Sequence, residues 1–294
     1  VKTERIDAPR IAADLRGNLG ISEGAIALVR GSLKPVGRIS GGAESVVRGL
    51  LDAVGPEGTI VSLAFTGSAF LRKADPAKAF TRETPTYAGA LPQAMLDWPG
   101  AVRSAHPTCS YVAIGPHAEE LMAGHDAHSG AYDPIRKLVA RQAVGLLIGC
   151  VESSPGFTTA HLSEVELGLH RRMIAPWANS TWYVDADGQL KLFRRKDYGL
   201  CSIGFRNFYG PYVSAGILRS GFVGNAYSIA VPLARTYEID KALLARDPRF
   251  AICGEKDCLI CNARRWDRLH HLPAFAARRI GKTLFPRSSG TDKR

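Results

Sequence analysis

Apolar and polar positions recur along this chain in two rhythms, and the switches between them predict its elements. A helical pattern around Ile11 to Leu19 precedes an apolar strand from Ala25 to Val29, a Gly-rich turn and a helix from about Ala43 to Val54. A strand over Thr59 to Ala64 follows the turn Gly55-Pro56-Glu57-Gly58, and Tyr87 to Leu96 reads as a helix stopped by Trp98-Pro99-Gly100. Tyr111 to Ile114 and Gly145 to Gly149 are short apolar strands, the second hydrophobic enough to be buried; between them lie a helix and a loop from His125 to Pro134. Residues alternate from Trp182 to Phe193 around Asp185-Ala186-Asp187-Gly188, the strongest short hairpin signal in the chain. Beyond Ile239 come the helix-like Lys241 to Arg246, a cysteine cluster, and an end at Ser288-Ser289-Gly290-Thr291 with the composition of a disordered tail. The pattern predicts a single mixed α/β domain over residues 1–240. It has a central sheet flanked by helices, a small antiparallel element, and a basic, Cys-containing C-terminal appendage over 241–294.

Composition narrows the class. With 294 residues, 46% of them hydrophobic and 22% charged, the chain reads as a folded globular protein. No apolar run approaches the roughly 20 residues needed to cross a bilayer, and VKTERIDAPR lacks the apolar centre of a signal peptide, so a cytoplasmic location is expected. Six cysteines are too few for a secreted disulfide framework and are expected to be reduced or metal-bound. Residues 241–294 carry 13 Lys and Arg against 5 Asp and Glu, a net +8 of the chain's +11. Such a pole suits an acidic partner, cofactor phosphates or simply a solvated surface; nucleic acid is disfavoured, because no aromatic and basic residues interleave.

Walker A, G-x-G-x-x-G, G-x-S-x-G and H-E-x-x-H signatures are missing, which argues against nucleotide hydrolysis, dinucleotide redox and serine esterase chemistry. A polar cluster, Thr158-Thr159-Ala160-His161-Leu162-Ser163-Glu164, follows the buried strand Val144 to Gly149, and strand ends are where α/β folds place active sites. His161 and Glu164 are three apart, so on a helix the carboxylate can fix the imidazole tautomer for general-base work. The same spacing suits a surface pair, or a helix start capped by Thr158 or Thr159. The loop from Ser32 to Gly42 offers backbone N–H groups, serine hydroxyls, Lys34 and Arg38 as a seat for phosphates, though Gly-Gly before a helix is also an ordinary turn. His106, held extended by Pro107 within Arg103-Ser104-Ala105-His106-Pro107-Thr108-Cys109-Ser110, reads as a buried structural histidine.

In order and interval these segments resemble the aminoglycoside 3-N-acetyltransferase family. The resemblance runs from Gly-Gly-Ala-Glu and Gly55-Pro56-Glu57-Gly58-Thr59 through Thr84-Pro85, Pro99-Gly100 and Arg103-Ser104-x-His106-Pro107-x-x-Ser110. It continues through Gly115, His125, Asp133-Pro134, Lys137-Leu138, Gly149 and Thr158-x-x-His161-x-x-Glu164 to Gly221-x-Val223-Gly224-Asn225-Ala226, covering roughly residues 10 to 240. It implies an N-acyltransferase that moves acetyl, or another acyl group, directly from acyl-coenzyme A to a small-molecule amine. His161 would be the base, Glu164 its orienting partner, and Thr158 a donor to the oxyanion or leaving sulfur. It places Ser32, Val36, Arg38 and Gly42 on the coenzyme A loop and Arg103, Ser104 and Ser110 along the same channel.

Two departures modify that expectation. Arg30-Gly31 stands where the family carries His-Ser, and in residues 71–83 Lys and Arg outnumber Asp and Glu where relatives often present acids to a polycationic sugar. A less cationic acceptor than an aminoglycoside is therefore expected. Cys253-x4-Cys258-x2-Cys261 lies outside the family pattern and suggests structural zinc, with His270 or His271 as fourth ligand; free thiols fit the spacing equally. Competing readings are a cysteine-dependent acyltransferase using Cys150, or a non-catalytic binder of a carrier protein or nucleic acid. An acyl carrier protein also fits as donor.

Overall fold

The computed structural model describes residues 5–70, 72–172, 179–197, 199, 201–264 and 272–284. Its strands are β1 (Ile26–Gly31), β2 (Thr59–Leu63), β3 (Ala69–Phe70), β4 (Val102–Arg103), β5 (Tyr111–Ile114), β6 (Val144–Ile148), β7 (Asn179–Val184), β8 (Leu190–Arg194), β9 (Arg219–Val223) and β10 (Ala226–Pro232). The helices are α1 (Ala8–Leu19), α2 (Gly42–Val54), α3 (Ala90–Leu96), α4 (Ala118–Met122), α5 (Asp133–Ala140), α6 (Thr159–Glu166), α7 (Tyr209–Ser214), α8 (Leu233–Arg246), α9 (Leu259–Arg264) and α10 (Leu272–Leu284).

Seven strands form one sheet in the order β4-β5-β2-β1-β6-β10-β9; β3, β7 and β8 form a small second sheet. β1 runs parallel to both β2 and β6, and the outer pairs are antiparallel. The two-residue alternation of a strand sorts the central side chains onto two faces. Ala27, Val29, Leu146 and Ile148 meet α1, α2 and α3 through Ile11, Leu15, Val46, Leu50, Leu91 and Met95. Leu28 and Leu147 point the other way, onto Leu121, Ile135, Leu138, Leu162, Tyr212, Leu233 and Leu244. α1 begins on Asp7, whose side chain accepts from the Arg10 backbone N–H at 3.0 Å, and ends where Gly20 turns left-handed and donates to Arg16.

Several expected elements shift. The helix expected between Tyr111–Ile114 and β6 is two, α4 and α5, and α5 begins at Asp133, inside the expected loop. The helix expected from Lys241 starts at Leu233, so the boundary expected at 240/241 falls within α8. The chain's end, Ser288 to Thr291, lies outside the described residues, as do His270 and His271. No helix among the described residues is long and apolar enough to cross a membrane.

Beside the sheet, His106 and His125 stack with ring centroids 4.9 Å apart, both rings buried. His106 Nδ1 accepts backbone N–H bonds from Thr108 and Cys109 at 3.3 and 3.0 Å, and His125 bonds Ser104 Oγ at 2.9 Å and the Gly130 carbonyl at 3.1 Å. Burial drives His106 down to about 3, with the neighbouring His125 and Arg195 adding to it, and His125 down to about 4. Both rings are neutral in the fold while their unfolded counterparts protonate near 6.5. Their contribution to stability is complete above that value and is lost as pH falls towards 4 and 3, at about 1.4 kcal/mol per pH unit for each ring. The ring protons of both residues should therefore show no titration between pH 7.5 and 5 by NMR. A midpoint near 6.5 for either ring would show that the fold tolerates its charge.

Candidate active site

The site is built where two adjacent parallel strands end. Gly31 pairs with Ile148, so the loops that leave β1 and β6 start level with one another, and the Ser32 N–H donates to the Ile148 carbonyl at 2.9 Å. At Gly149 (φ 63°) a Cβ would stand 2.8 Å from the Ser32 carbonyl and 3.2 Å from the Pro35 side chain, so only glycine lets the two loops meet. The first loop carries Ser32, Lys34, the buried Val36 and the exposed Arg38 to Gly41 and Gly42, both at positive φ, and into α2. The β9–β10 turn braces it from behind, the Asn225 N–H donating to the Val36 carbonyl at 3.0 Å. The N-terminus of this 13-residue helix has no side-chain cap, and with Lys34 and Arg38 exposed on the loop before it, it has the chemistry of a phosphate seat.

The second loop leads into α6. Arg30 at the end of β1 holds it, donating to the Gly156 carbonyl at 2.9 Å and to the Ser154 hydroxyl, and burial lowers the guanidinium pKa. The residue that departs from the family pattern is thus a clamp on the loop that leads into α6. Cys150, weighed above as a nucleophile, is buried; its thiol donates to the Arg30 carbonyl at 3.5 Å, and burial pushes it up, both unfavourable to a thiolate.

His161 and Glu164 lie on one face of α6, with Nδ1 and Oε2 3.0 Å apart. The Glu164 side chain is fully buried and that of His161 is 15% exposed. A carboxylate on Nδ1 makes that nitrogen the N–H donor, and Nε2, turned away from it, becomes the proton acceptor. Of the two alternatives weighed for this spacing, a surface pair is excluded by burial. Capping is not what the threonines do: Thr158 makes no capping bond, and Thr159 Oγ1 donates to Asp240 at 2.7 Å. Asp240, fully buried and also bonded by the Tyr212 hydroxyl, is pushed up to about 7 by burial and anchors the first turn of α6 to α8. The last turn is tied down through Glu166, paired with Arg136 of α5 at 3.0 Å and Lys241 of α8 at 2.7 Å.

Two aromatic rings wall the imidazole. Tyr132 stacks on it with centroids 5.2 Å apart and Phe205 meets it edge-on at 4.6 Å. The Tyr132 hydroxyl accepts from Arg195 at 3.2 Å, and Asp197, two residues on, accepts the Ala131 backbone N–H at 2.5 Å. Burial alone would depress the Arg195 guanidinium; Cys109, Tyr132 and Asp197 together hold it above its ordinary value. Gly199 lies over the ring, where a Cβ would come 2.1 Å from the Tyr132 hydroxyl and 3.3 Å from His161 Nδ1. None of these wall residues stood out in the sequence: Tyr132 sits just before α5, Phe205 in a 3-10 helix over Ser202–Phe208, and neither belongs to a periodic pattern.

Arg103, Ser104 and Ser110 are buried and bonded within the protein. Arg103, lowered to about 10 by burial, donates to Ser110 Oγ at 3.1 Å and to the carbonyls of Arg82, Thr84 and Ala64; Ser104 Oγ accepts from the Tyr111 N–H at 2.9 Å. Their place in the fold is that of a brace. A cavity of about 700 Å³ lined by Arg82, Glu83, Arg103, Asp126, Asp185 and Lys191 has neither His161 nor Glu164 in its walls. Cys253, Cys258 and Cys261 do come together, and the fourth residue beside them is Cys201.

Comparison with known proteins identifies the family. The sequence model of the aminoglycoside 3-N-acetyltransferase family matches residues 28–245. Aminoglycoside N(3)-acetyltransferase IX of Micromonospora chalcea is 31% identical over 248 residues, covering 74% of this chain and 86% of the relative. The crystal structure of aminoglycoside acetyltransferase AAC(3)-Xa superposes with a TM-score of 0.68 at 27% identity, over 82% of this chain and 93% of that one. AAC-IIIb, solved as a binary complex with CoASH, shares the fold with a TM-score of 0.65 at 24% identity, over 83% and 97% of the two chains. The chain belongs to the aminoglycoside 3-N-acetyltransferase family and is an acyl-CoA-dependent N-acetyltransferase.

Proposed function

We propose that His161 is the general base of acetyl transfer from coenzyme A to a small-molecule amine less cationic than an aminoglycoside. The observation that carries this reading is the 3.0 Å bond from His161 Nδ1 to the fully buried Glu164, which aims Nε2 away as the proton acceptor. His161 Nε2 takes the proton from the amine as its nitrogen bonds to the thioester carbonyl carbon. The resulting imidazolium is stabilised by Glu164 and returns that proton to the sulfur as the carbon–sulfur bond breaks. Thr158, which is buried and makes no capping bond, is the proposed donor to the developing oxyanion or the leaving sulfur. Ser32, Val36, Arg38 and Gly42 hold the coenzyme's phosphate-bearing arm, with Arg103, Ser104 and Ser110 bracing the wall beside it. A structural neighbour of the same fold is solved with CoASH, which supports coenzyme binding but not this choice of residues. A chain at +11, with more Lys and Arg than Asp and Glu in residues 71–83, repels rather than gathers a polycation, which supports the less cationic acceptor.

Free-thiol release from acetyl-coenzyme A tests the reading, against a panel of amines that includes amino sugars, aminated nucleosides, sisomicin and gentamicin. Turnover is expected with a mono- or dibasic amine and is expected to exceed that with either aminoglycoside; the reverse order would overturn the acceptor assignment. His161→Ala should lower turnover by about 10² to 10⁴ with coenzyme binding intact, and unchanged turnover would remove the base. Glu164→Gln keeps an acceptor for Nδ1–H but loses the charge that stabilises the imidazolium, so kcat should fall about 10-fold to 100-fold with KM little changed. Gly199→Val, which drives a side chain onto the Tyr132 hydroxyl, should cost about 10-fold or more in kcat/KM without loss of secondary structure by circular dichroism.

A further inference from the structure

The four thiols of Cys201, Cys253, Cys258 and Cys261 all have sulfurs within 4.8 Å of one another, although Cys201 is far from the others in sequence. Cys201, Cys253 and Cys261 are buried and Cys258 is half-buried, in a pocket walled by Ile203, Ile252 and Ile260. A tetrahedral ion with metal–sulfur bonds of about 2.3 Å separates its sulfurs by about 3.8 Å, which matches this cluster. Backbone N–H groups already point at the sulfurs. Cys253 donates to Cys261 Sγ at 3.3 Å and Cys261 to Cys258 Sγ at 3.5 Å, the arrangement that stabilises thiolate charge in metal knuckles. The donor set is sulfur alone, which favours zinc over the hard cations magnesium and calcium.

We propose that these four cysteines bind one structural zinc ion, with Cys201 rather than His270 or His271 as the fourth ligand. Binding displaces the thiol protons to solvent and forms four zinc–sulfur bonds without any change of oxidation state. The site lies across the edge of the family match, which ends at residue 245; Cys201 falls inside it and the other three ligands beyond.

The zinc also bears on catalysis, through packing. Cys201 opens the segment that carries Phe205, one of the rings against His161. That segment is pressed onto the cysteine-bearing chain at Gly204, where a Cβ would stand 2.0 Å from the Ala251 carbonyl oxygen and 2.8 Å from the Cys253 nitrogen. Asn207 adds a bond to the Phe250 carbonyl at 2.7 Å. The metal therefore closes a loop from the imidazole wall to the C-terminal segment and fixes the wall in place.

The test is metal analysis of the full chain purified without chelator, with thiol titration of the same sample. The expected result is one zinc per chain, with these four thiols protected from a disulfide reagent until a mercurial displaces the ion. Cys258→Ser, at the least buried ligand, should lose the zinc, and Cys201→Ser should lose it equally although it lies outside the C-x4-C-x2-C run. Stripping zinc from the wild-type chain should lower its thermal midpoint, and added zinc should restore it. A metal-free chain with four freely titrating thiols, a mass showing two disulfides, or iron with visible absorbance would each overturn the proposal. Full zinc retention in Cys201→Ser would return the fourth position to another residue, and an unchanged midpoint on stripping would refute the bracing role.

Discussion

A carboxylate with no solvent exposure governs this site. Glu164 is fully buried on α6, and a buried charge costs several kcal/mol unless it is paired and hydrogen-bonded, so the 3.0 Å bond to His161 is one the fold has to hold. Much of the surrounding structure serves that hold. Asp240 and Tyr212 fix the first turn of α6 through Thr159, while Arg136 and Lys241 fix its last turn through Glu166. Arg30 restrains the loop that feeds it. The His161–Glu164 pair is therefore held in place by five side chains on four other stretches of chain: Arg30, Arg136, Tyr212, and Asp240 with Lys241.

The sheet supplies the other half of the arrangement. Its two central parallel strands end level, so the loop carrying Ser32 to Gly42 and the loop that feeds α6 leave the sheet side by side. The remaining wall is made by loops. Tyr132 and Phe205 are brought against the ring by the Arg195 and Asp197 contacts and by the close packing at Gly204.

Elements with strong local signals were legible in the sequence. β1, β2, β5 and β6, the helices α1 and α2, and the Asp185 to Gly188 hairpin follow from periodicity and turn chemistry. The start of α8 was hidden because Leu233-Ala234-Arg235-Thr236 has no capping residue ahead of it, only Pro232. β9 and β10 were visible only as part of a family motif, since β9 is an edge strand with polar and exposed positions and no clean alternation. In the site, the three-residue spacing of His161 and Glu164 could be read, because a helix turns it into a contact. Asp240, Arg195 and Cys201 could not, because their partners are distant in sequence and only the tertiary fold makes them neighbours.

The pairing of β1 with β6 also acts as a ruler. Sliding β6 by one residue would carry α6 about 3.3 Å along the sheet relative to the loop from Ser32 to Gly42. It would also turn Leu147 and its neighbours to the wrong faces, so the hydrophobic alternation that closes the two cores rejects any such slip. The distance between the Ser32–Gly42 loop and His161 is thus written into greasy side chains of the two cores. The wall residues Tyr132, Arg195 and Phe205 lie outside that register, so their chemistry can change without altering the distance it sets.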